Sequence, residues 1–307
     1  MSVAFRGLNS NKHYNGTERQ FEREELGNFV QNNQRLVDVV ASYAVTDRLS
    51  LSVGVPYVNA SWSIPLPVRP VPGPRSKQEA RGIGDVSVSG RYWLMDTEQS
   101  NHNVSVGLGI KMPTGKSDVA DVYPDLTGEN PTRKAVDQSI QPGDGGWGIL
   151  AEVHGFKRVK RTTLFASLSY LMNPKNTNDT PSIVEGLGLG DLPRFEDVLV
   201  NSVPDQYVLR GGAAVPLPVT GLSASLALRM EGLPRYDLFG ASNGWRRPGR
   251  EVFIEPGFAY SRENYTVTLN VPLAVYRNRL ANPNTDNPGD ATFPDQIFLV
   301  GFTYRFD

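Results

Sequence analysis

The chain has 307 residues, no cysteine, and a net charge of −1 from 31 basic and 32 acidic side chains. That composition excludes disulfide frameworks and thiolate or cysteine-based metal chemistry, and the charge balance speaks against a nucleic-acid partner, which normally needs a basic surface. Mean hydropathy is −0.34 and no apolar run approaches the ~18 residues of a membrane helix; a strand that is apolar only at every second position escapes such averages.

Met1 to Arg6 lacks the basic and apolar regions of a secretory leader, so a mature chain is expected; a first strand over about 1–8 is inferred because the strand number must be even. Period-two alternation is the main signal thereafter. It is weak over 36–46, then clear where Leu49, Leu51, Val53, Val55 and Tyr57 alternate with Ser50, Ser52, Gly54 and Pro56. A weak strand over 85–95 precedes Val104, Val106, Leu108, Ile110 and Met112, which alternate with Ser105, Gly107, Gly109 and Lys111. Weak segments follow over 146–157, 162–172 and 206–216. Leu222, Ala224, Leu226, Leu228 and Met230 then share one face, followed by a weak 251–262. Tyr265, Val267, Leu269, Val271 and Leu273 form the next row, and Phe298, Val300, Phe302, Tyr304 and Phe306 the last. Ten such residues match one tilted membrane strand, whereas soluble sandwich strands usually run to five or six.

The connections sort by length. Short ones fall near 46–48, 96–103, 158–161, 217–221 and 262–264; long ones near 9–34, 61–83, 114–145, 173–205, 234–250 and 277–295. Their strict alternation predicts an all-β fold in a single domain over 1–307. It is a transmembrane antiparallel up-and-down barrel of about twelve strands, with short periplasmic turns, long extracellular loops and both termini in the periplasm of a Gram-negative cell. A sandwich has no reason to put every long loop at one end. Pro56, Pro113, Pro216 and Pro272 are read as shaping the long-loop rim, since proline cannot donate to a ladder. Glu18 to Phe29 and Pro193 to Val200 are expected to form short helices, one of which could fold inward as a constriction.

On the predicted lipid face, Tyr43, Tyr92, Tyr260, Tyr265, Tyr304 and Phe306 lie near the short turns, and Tyr57, Trp147, Tyr170 and Tyr207 near the long loops. Two aromatic belts separated by aliphatic rows match interfacial girdles. The opposite face carries Asp38, Arg91, Lys111, Glu152, His154, Arg210, Arg229, Glu231, Glu255 and Arg305, expected to line a polar lumen, because unpaired charge in hydrocarbon is costly. Both signs are present, so some should pair across a narrow pore.

Several ordered segments resemble an outer-membrane family named for the meta pathway of phenol degradation. They are 43–51 (YAVTDRLSL), Val55-Pro56-Tyr57, Gly82-Ile83-Gly84-Asp85-Val86, Lys111-Met112-Pro113-Thr114-Gly115, Gln141-Pro142-Gly143-Asp144-Gly145, and Asn270-Val271-Pro272-Leu273 with Tyr276-Arg277. Departures are the Asp307 that follows Phe306, where members often end on an aromatic residue, and Lys116-Ser117-Asp118 after the Thr-Gly. The resemblance implies an outer-membrane location and passage of small compounds, aromatic or hydrophobic ones among them; it carries over no catalytic residue.

Of three histidines, His13 reads as outer loop, His102 as periplasmic turn, and His154 as inward beside Glu152; a proton-shuttling pair is the less favoured reading against lumen polarity. Asp118, Asp121 and Asp125, and Asp286, Asp290 and Asp295, lack calcium-loop spacing and read as turn chemistry. Gly186-Leu187-Gly188-Leu189-Gly190 has no nucleotide-binding unit after it. The expectation is a non-enzymatic channel without cofactor or metal, passing small molecules passively. Its partners would be the bilayer with its lipopolysaccharide, a small solute, and the barrel-assembly machinery through the C-terminal strand. The competing reading is a plugged structural or docking barrel acting through its extracellular loops.

Overall fold

The structure, a computed structural model, describes residues 1–96, 100–285 and 290–306. Its strands are β1 Ser2–Asn15, β2 Gln31–Ala44, β3 Leu49–Pro65, β4 in two segments (Arg75–Ile83 and Ser87–Trp93), β5 His102–Lys111, β6 Gly148–Val159 and β7 Thr162–Met172. They continue with β8 Gln206–Pro216, β9 Leu222–Leu233, β10 Gly249–Arg262, β11 in two segments (Tyr265–Asn270 and Leu273–Arg279) and β12 Ala291–Tyr304. Each pairs antiparallel with the next, and β12 pairs with β1 from Ser2↔Thr303 to Tyr14↔Ala291. The sheet is thus a closed twelve-stranded barrel, and closure satisfies the backbone groups that hydrocarbon cannot.

Register explains why the alternating residues fold this way. Val106, Val153, Leu168, Leu209, Met230 and Val252 are successive partners across six strands. They form one outward row in which Val106, Val153, Leu168 and Leu209 are exposed. A one-residue slip would turn the whole row inward. An exposed apolar band of this extent around a closed barrel is a lipid-facing surface.

Three expectations are corrected. β1 runs to Asn15, β2 begins at Gln31, β3 runs to Pro65 and β4 begins at Arg75, so much of the connections expected at 9–34 and 61–83 is strand rising above the lipid band. Outside lipid both faces can be polar, and alternation fades from the sequence although the ladder continues. Pro216 closes β8 beside the short Leu217–Gly221 turn, not at the long-loop rim. The expected helices occur at Phe21–Glu25 and, as a 3₁₀ turn, Pro193–Val198, but the segment that enters the mouth with its own turn is 137–144. Asn32 Nδ2 on the inner face of β2 donates to Ser139 Oγ at 2.6 Å, and Gln34 Nε2 to Ser139 O at 2.9 Å.

Above the barrel the loops share a core of their own, in which Trp62, Ile64, Leu66, Tyr123, Ile140 and Ile183 pack together. Two of the strands are interrupted. In β11, Pro272 accepts from Ile297 N at 3.0 Å, and above it β11 and β12 share only the pair Leu273↔Gln296. In β4, the segment Arg75–Ile83 pairs with β3 alone.

Candidate functional site: the barrel interior

The residues facing the interior fall in adjacent register rows. Arg91, Gly107, Glu152, Ser169, Val208, Glu231 and Glu251 are consecutive partners from β4 to β10. The neighbouring row carries His154, Ser167, Arg210 and Arg229. Strand pairing therefore places like charges side by side, as at Arg210↔Arg229, and the acids interleaved from the other rows neutralise them.

The ion pairs form a chain. Arg6 Nη2 on β1 meets Glu231 Oε1 on β9 at 2.5 Å, and Glu231 also takes Arg229 at 2.7 Å. Arg229 lies 3.7 Å from Glu255, which receives Arg210 Nε at 2.7 Å. Arg210 then stacks its guanidinium 4.6 Å from the centre of the Phe165 ring. β1 and β9 are not neighbours in the barrel, so this chain crosses the interior along a chord. The Glu255 side chain is 1% exposed and those of Arg229 and Glu231 12% and 13%, so the layer is filled by its own side chains. A second group, on β4 and β6, joins Arg91 Nη2 to Glu152 at 3.2 Å and to His154 Nε2 at 3.1 Å, with Ser169 donating to Glu152 at 3.3 Å.

Above this layer lies a cavity of about 880 Å³, with Arg6 and Glu231 of the layer as part of its lining. Leu36, Val58, Trp62, Leu171, Trp245 and Phe293 supply apolar walls, and many charged and amide groups, among them Asp38, Asp85, Lys111, Arg247, Glu251 and Arg279, share the lining. Asp38 half-buries on β2. The 137–144 segment entering the mouth is pinned by Arg247, whose Nη1 lies 2.9 Å from Asp137 Oδ1. Burial opposes the Asp137 carboxylate, yet Arg247 and the Ser139 hydroxyl more than offset it and hold the group below the usual carboxylate range.

Four of the segments that carry the family resemblance, 55–57, 82–86, 111–115 and 141–145, meet at one point in the wall. Asp85 accepts from Gly115 N at 3.0 Å and from Asp144 N at 3.1 Å; Lys111 pairs with Asp144 and lies 3.5 Å from Asp85. Thr114 Oγ1 donates to Gly84 O at 3.0 Å and accepts from Val86 N at 2.8 Å, while Gly84 N donates to Pro56 O at 2.8 Å. A Cβ on Gly143 would stand 2.6 Å from Asp85 Oδ1, and one on Gly115 2.8 Å from the Gly84 carbonyl carbon. Short Gly/Pro motifs are needed here because backbones cross almost in contact. This knot closes the wall beyond Lys111, where β5 ends and upper β4 is paired with β3 alone.

Of the side chains expected inward, Asp38, Arg91, Lys111, Glu152, His154, Arg210, Arg229, Glu231 and Glu255 face the interior. Arg305 does not: it is exposed beyond the end of β12, its N–H bonded to Asn264 O at 2.7 Å in the last short turn. His13 is corrected too. It sits in the upper part of β1, buried, with Nδ1 2.5 Å from Asp290 and Nε2 accepting from Val30 N at 2.8 Å. His102 starts β5 and is exposed.

The aromatic positions all point outward. Tyr43, Tyr92, Tyr304 and Phe306 are exposed and Tyr260 and Tyr265 partly so, at the short-turn end. Tyr57 and Trp147 are exposed at the other end, with Tyr207 half-buried and Tyr170 donating to Asp205 at 2.9 Å. The loop after β9 adds exposed Tyr236, Leu238 and Phe239, which no strand pattern could reveal. Also missed were Arg6 and the apolar cavity wall; parity within β1 and β2 would have found Arg6 and Leu36. Among the acids considered for calcium, Asp286 lies outside the described residues. Asp290 is held by His13 and Arg23, and Asp295 by Lys12 and Arg277. Asp125 binds its own turn, where hydrogen bonds from Thr127 and Asn130 hold its carboxyl down to about 2.

No protein-family model matches the chain. Among solved structures, an outer-membrane channel from Pseudomonas putida F1 superposes with a TM-score of 0.61 at 10% identity, covering 99% of this chain and 94% of that one. A toluene transporter from Ralstonia pickettii gives a TM-score of 0.49 at 10% identity over 100% of this chain and 90% of its own. At such identities a likeness shows the fold and nothing beyond it. With its closed wall, its lipid-facing rows and its asymmetric connections, the chain is a β-barrel of the bacterial outer membrane.

Proposed function

We propose that this barrel passes small molecules passively across the outer membrane, entering through the upper cavity and crossing the charged layer beneath it. The observation that carries the reading is the stacking of these two zones. A cavity of about 880 Å³ that sets Trp62, Trp245 and Phe293 beside charged and amide groups offers a small aromatic solute an apolar wall and polar groups to orient it. The resemblance to the meta-pathway family supports the same substrate class. Below it, Arg6, Glu231, Arg229, Glu255 and Arg210 would set selectivity through their charge and act as the constriction. His154 is occupied by Arg91 and Glu152, which supports a polar lining rather than catalysis. In this reading β12, with its outward Phe298, Val300, Phe302 and Tyr304, is the segment the barrel-assembly machinery engages.

The competing reading, a permanently plugged barrel, draws on the same ion pairs, because the layer is filled by its own side chains. Liposome swelling with small neutral and aromatic solutes separates the two. Swelling by the wild-type protein, increased in R6Q/E231Q, supports transport; no swelling by either protein leaves the plugged barrel standing.

A further inference from the structure

Outside the barrel, at the upper edge of the lipid band, one register row differs from every row below it. Gly7, Arg35, Asn59 and Arg81 are consecutive partners across β1 to β4. The row directly beneath is Phe5, Val37, Tyr57 and Ile83, apolar and largely exposed. The row above is Asn9, Asn33, Ser61 and Glu79. Arg35 and Arg81 are both exposed, and neither has an ion-pair partner among the described residues. The acids near this face are already engaged: Glu79 by Lys77, Asp295 by Lys12 and Arg277, and Asp121 by the backbone N–H groups of Glu79 at 3.0 Å and Val122 at 2.8 Å. Adjacent strands lie about 4.8 Å apart, so the two arginines sit roughly 10 Å apart along the wall, with a neutral amide between them.

Above and around this row opens a cleft of about 960 Å³, lined by Arg35, Asn9, Asn33, Asn59, Ser61 and Lys77, with the carboxylates of Glu79 and Asp295 also in its wall. Gly7 keeps the floor low, since a Cβ there would meet the Phe5 ring at 3.0 Å. We propose that this face is a binding site for a phosphorylated glycolipid of the outer leaflet. Arg35 and Arg81 hold its phosphate, the amide and hydroxyl groups of the cleft hold its sugar, and the Phe5–Val37–Tyr57–Ile83 row carries its acyl chains. Three chemistries are stacked in the order in which such a lipid presents them to a wall: sugar above, phosphate at the boundary, chain below. Guanidinium is the side chain suited to phosphate, offering paired donors in a fixed fork. The long-loop end faces the cell exterior, which puts the site in the outer leaflet. The site depends on that orientation and not on the transport reading.

The test uses the full chain in detergent, titrated with diphosphoryl lipid A, its monophosphoryl form, phosphatidylglycerol and inorganic phosphate, with bound lipid read by native mass spectrometry. Wild-type protein should retain diphosphoryl lipid A about tenfold better than R35Q/R81Q, with R35K/R81K between them, as expected when two charge-assisted contacts are removed or lose their fork. Heat-modifiable migration identifies folded protein. Should the double variant not fold, the single variants R35Q and R81Q take its place, each expected to weaken retention about threefold. Equal retention by wild-type and variant overturns the site. So does equal binding of phosphatidylglycerol, which would mark a general anionic surface, or full displacement by millimolar inorganic phosphate, which would mark a free-anion site.

Discussion

Arg6 on the first strand and Glu231 on the ninth, 225 residues apart in sequence, meet at 2.5 Å inside the barrel. Neither strand touches the other in the sheet, so the pair ties two separate parts of the wall and, with Arg229 and Glu255, reaches across the path a solute would take. E231Q leaves Arg6 and Arg229 facing each other with their partner gone. Breaking a buried pair by removing one member costs about 3–5 kcal/mol, and the cost here should fall toward about 2 kcal/mol because Arg6 stays partly solvated. The expected outcome is a lower unfolding midpoint on heat-modifiability gels with a larger single-channel conductance. An unchanged conductance would show that the layer does not limit passage.

Selectivity follows from the same layer. Reversing Arg229 or Arg91 to glutamate removes a cation from the interior and adds an anion, so reversal potentials in planar bilayers under a salt gradient should shift toward cation preference. Selectivity that ignores both reversals would argue that ions do not pass these side chains.

The wall knot makes a sharper structural prediction. In G143A the new methyl would stand against the Gly115 carbonyl oxygen and 2.6 Å from Asp85 Oδ1. A loss of about 1–3 kcal/mol is expected from such overpacking, whereas alanine at Gly16, which has no neighbour within 4 Å of the added atom, should lose less despite its positive φ. Urea unfolding in lipid vesicles compares the two; equal losses would mean the knot is looser than its contacts indicate.

Acid should release the loop that enters the mouth. Asp137 is held below its ordinary carboxylate range once Arg247 and Ser139 outweigh burial. A group with a depressed folded value contributes stability that is complete above the unfolded value, about 3.9, and disappears as pH falls through the lower folded one. Proteolysis of the 112–147 loop by an acid-tolerant protease should therefore stay slow above about pH 4 and accelerate below it. R247A should be cut readily even at neutral pH. Equal rates in R247A and wild type at pH 7 would remove Asp137 as the anchor.

Period-two alternation marked eleven strands and the direction of their aliphatic rows; the even number a barrel of this kind needs supplied the first strand, and connection length the end at which the turns are tight. The rows follow from one local rule: successive side chains leave a strand on opposite faces, and only one face can meet lipid. The convergence of Gly84, Gly115 and Gly143 was present in the sequence only as short motifs, whose purpose appears when backbones from three connections cross. Closure decided the rest. Whether Arg6 meets Glu231 depends on the radius and stagger of the whole barrel, which no single strand encodes. The upward extensions of β1 to β4 were hidden because water on one side and packed loops on the other tolerate polar residues on both faces. Only the folded wall shows that Arg35 and Arg81 stand in one row, two strands apart, at the edge of the lipid.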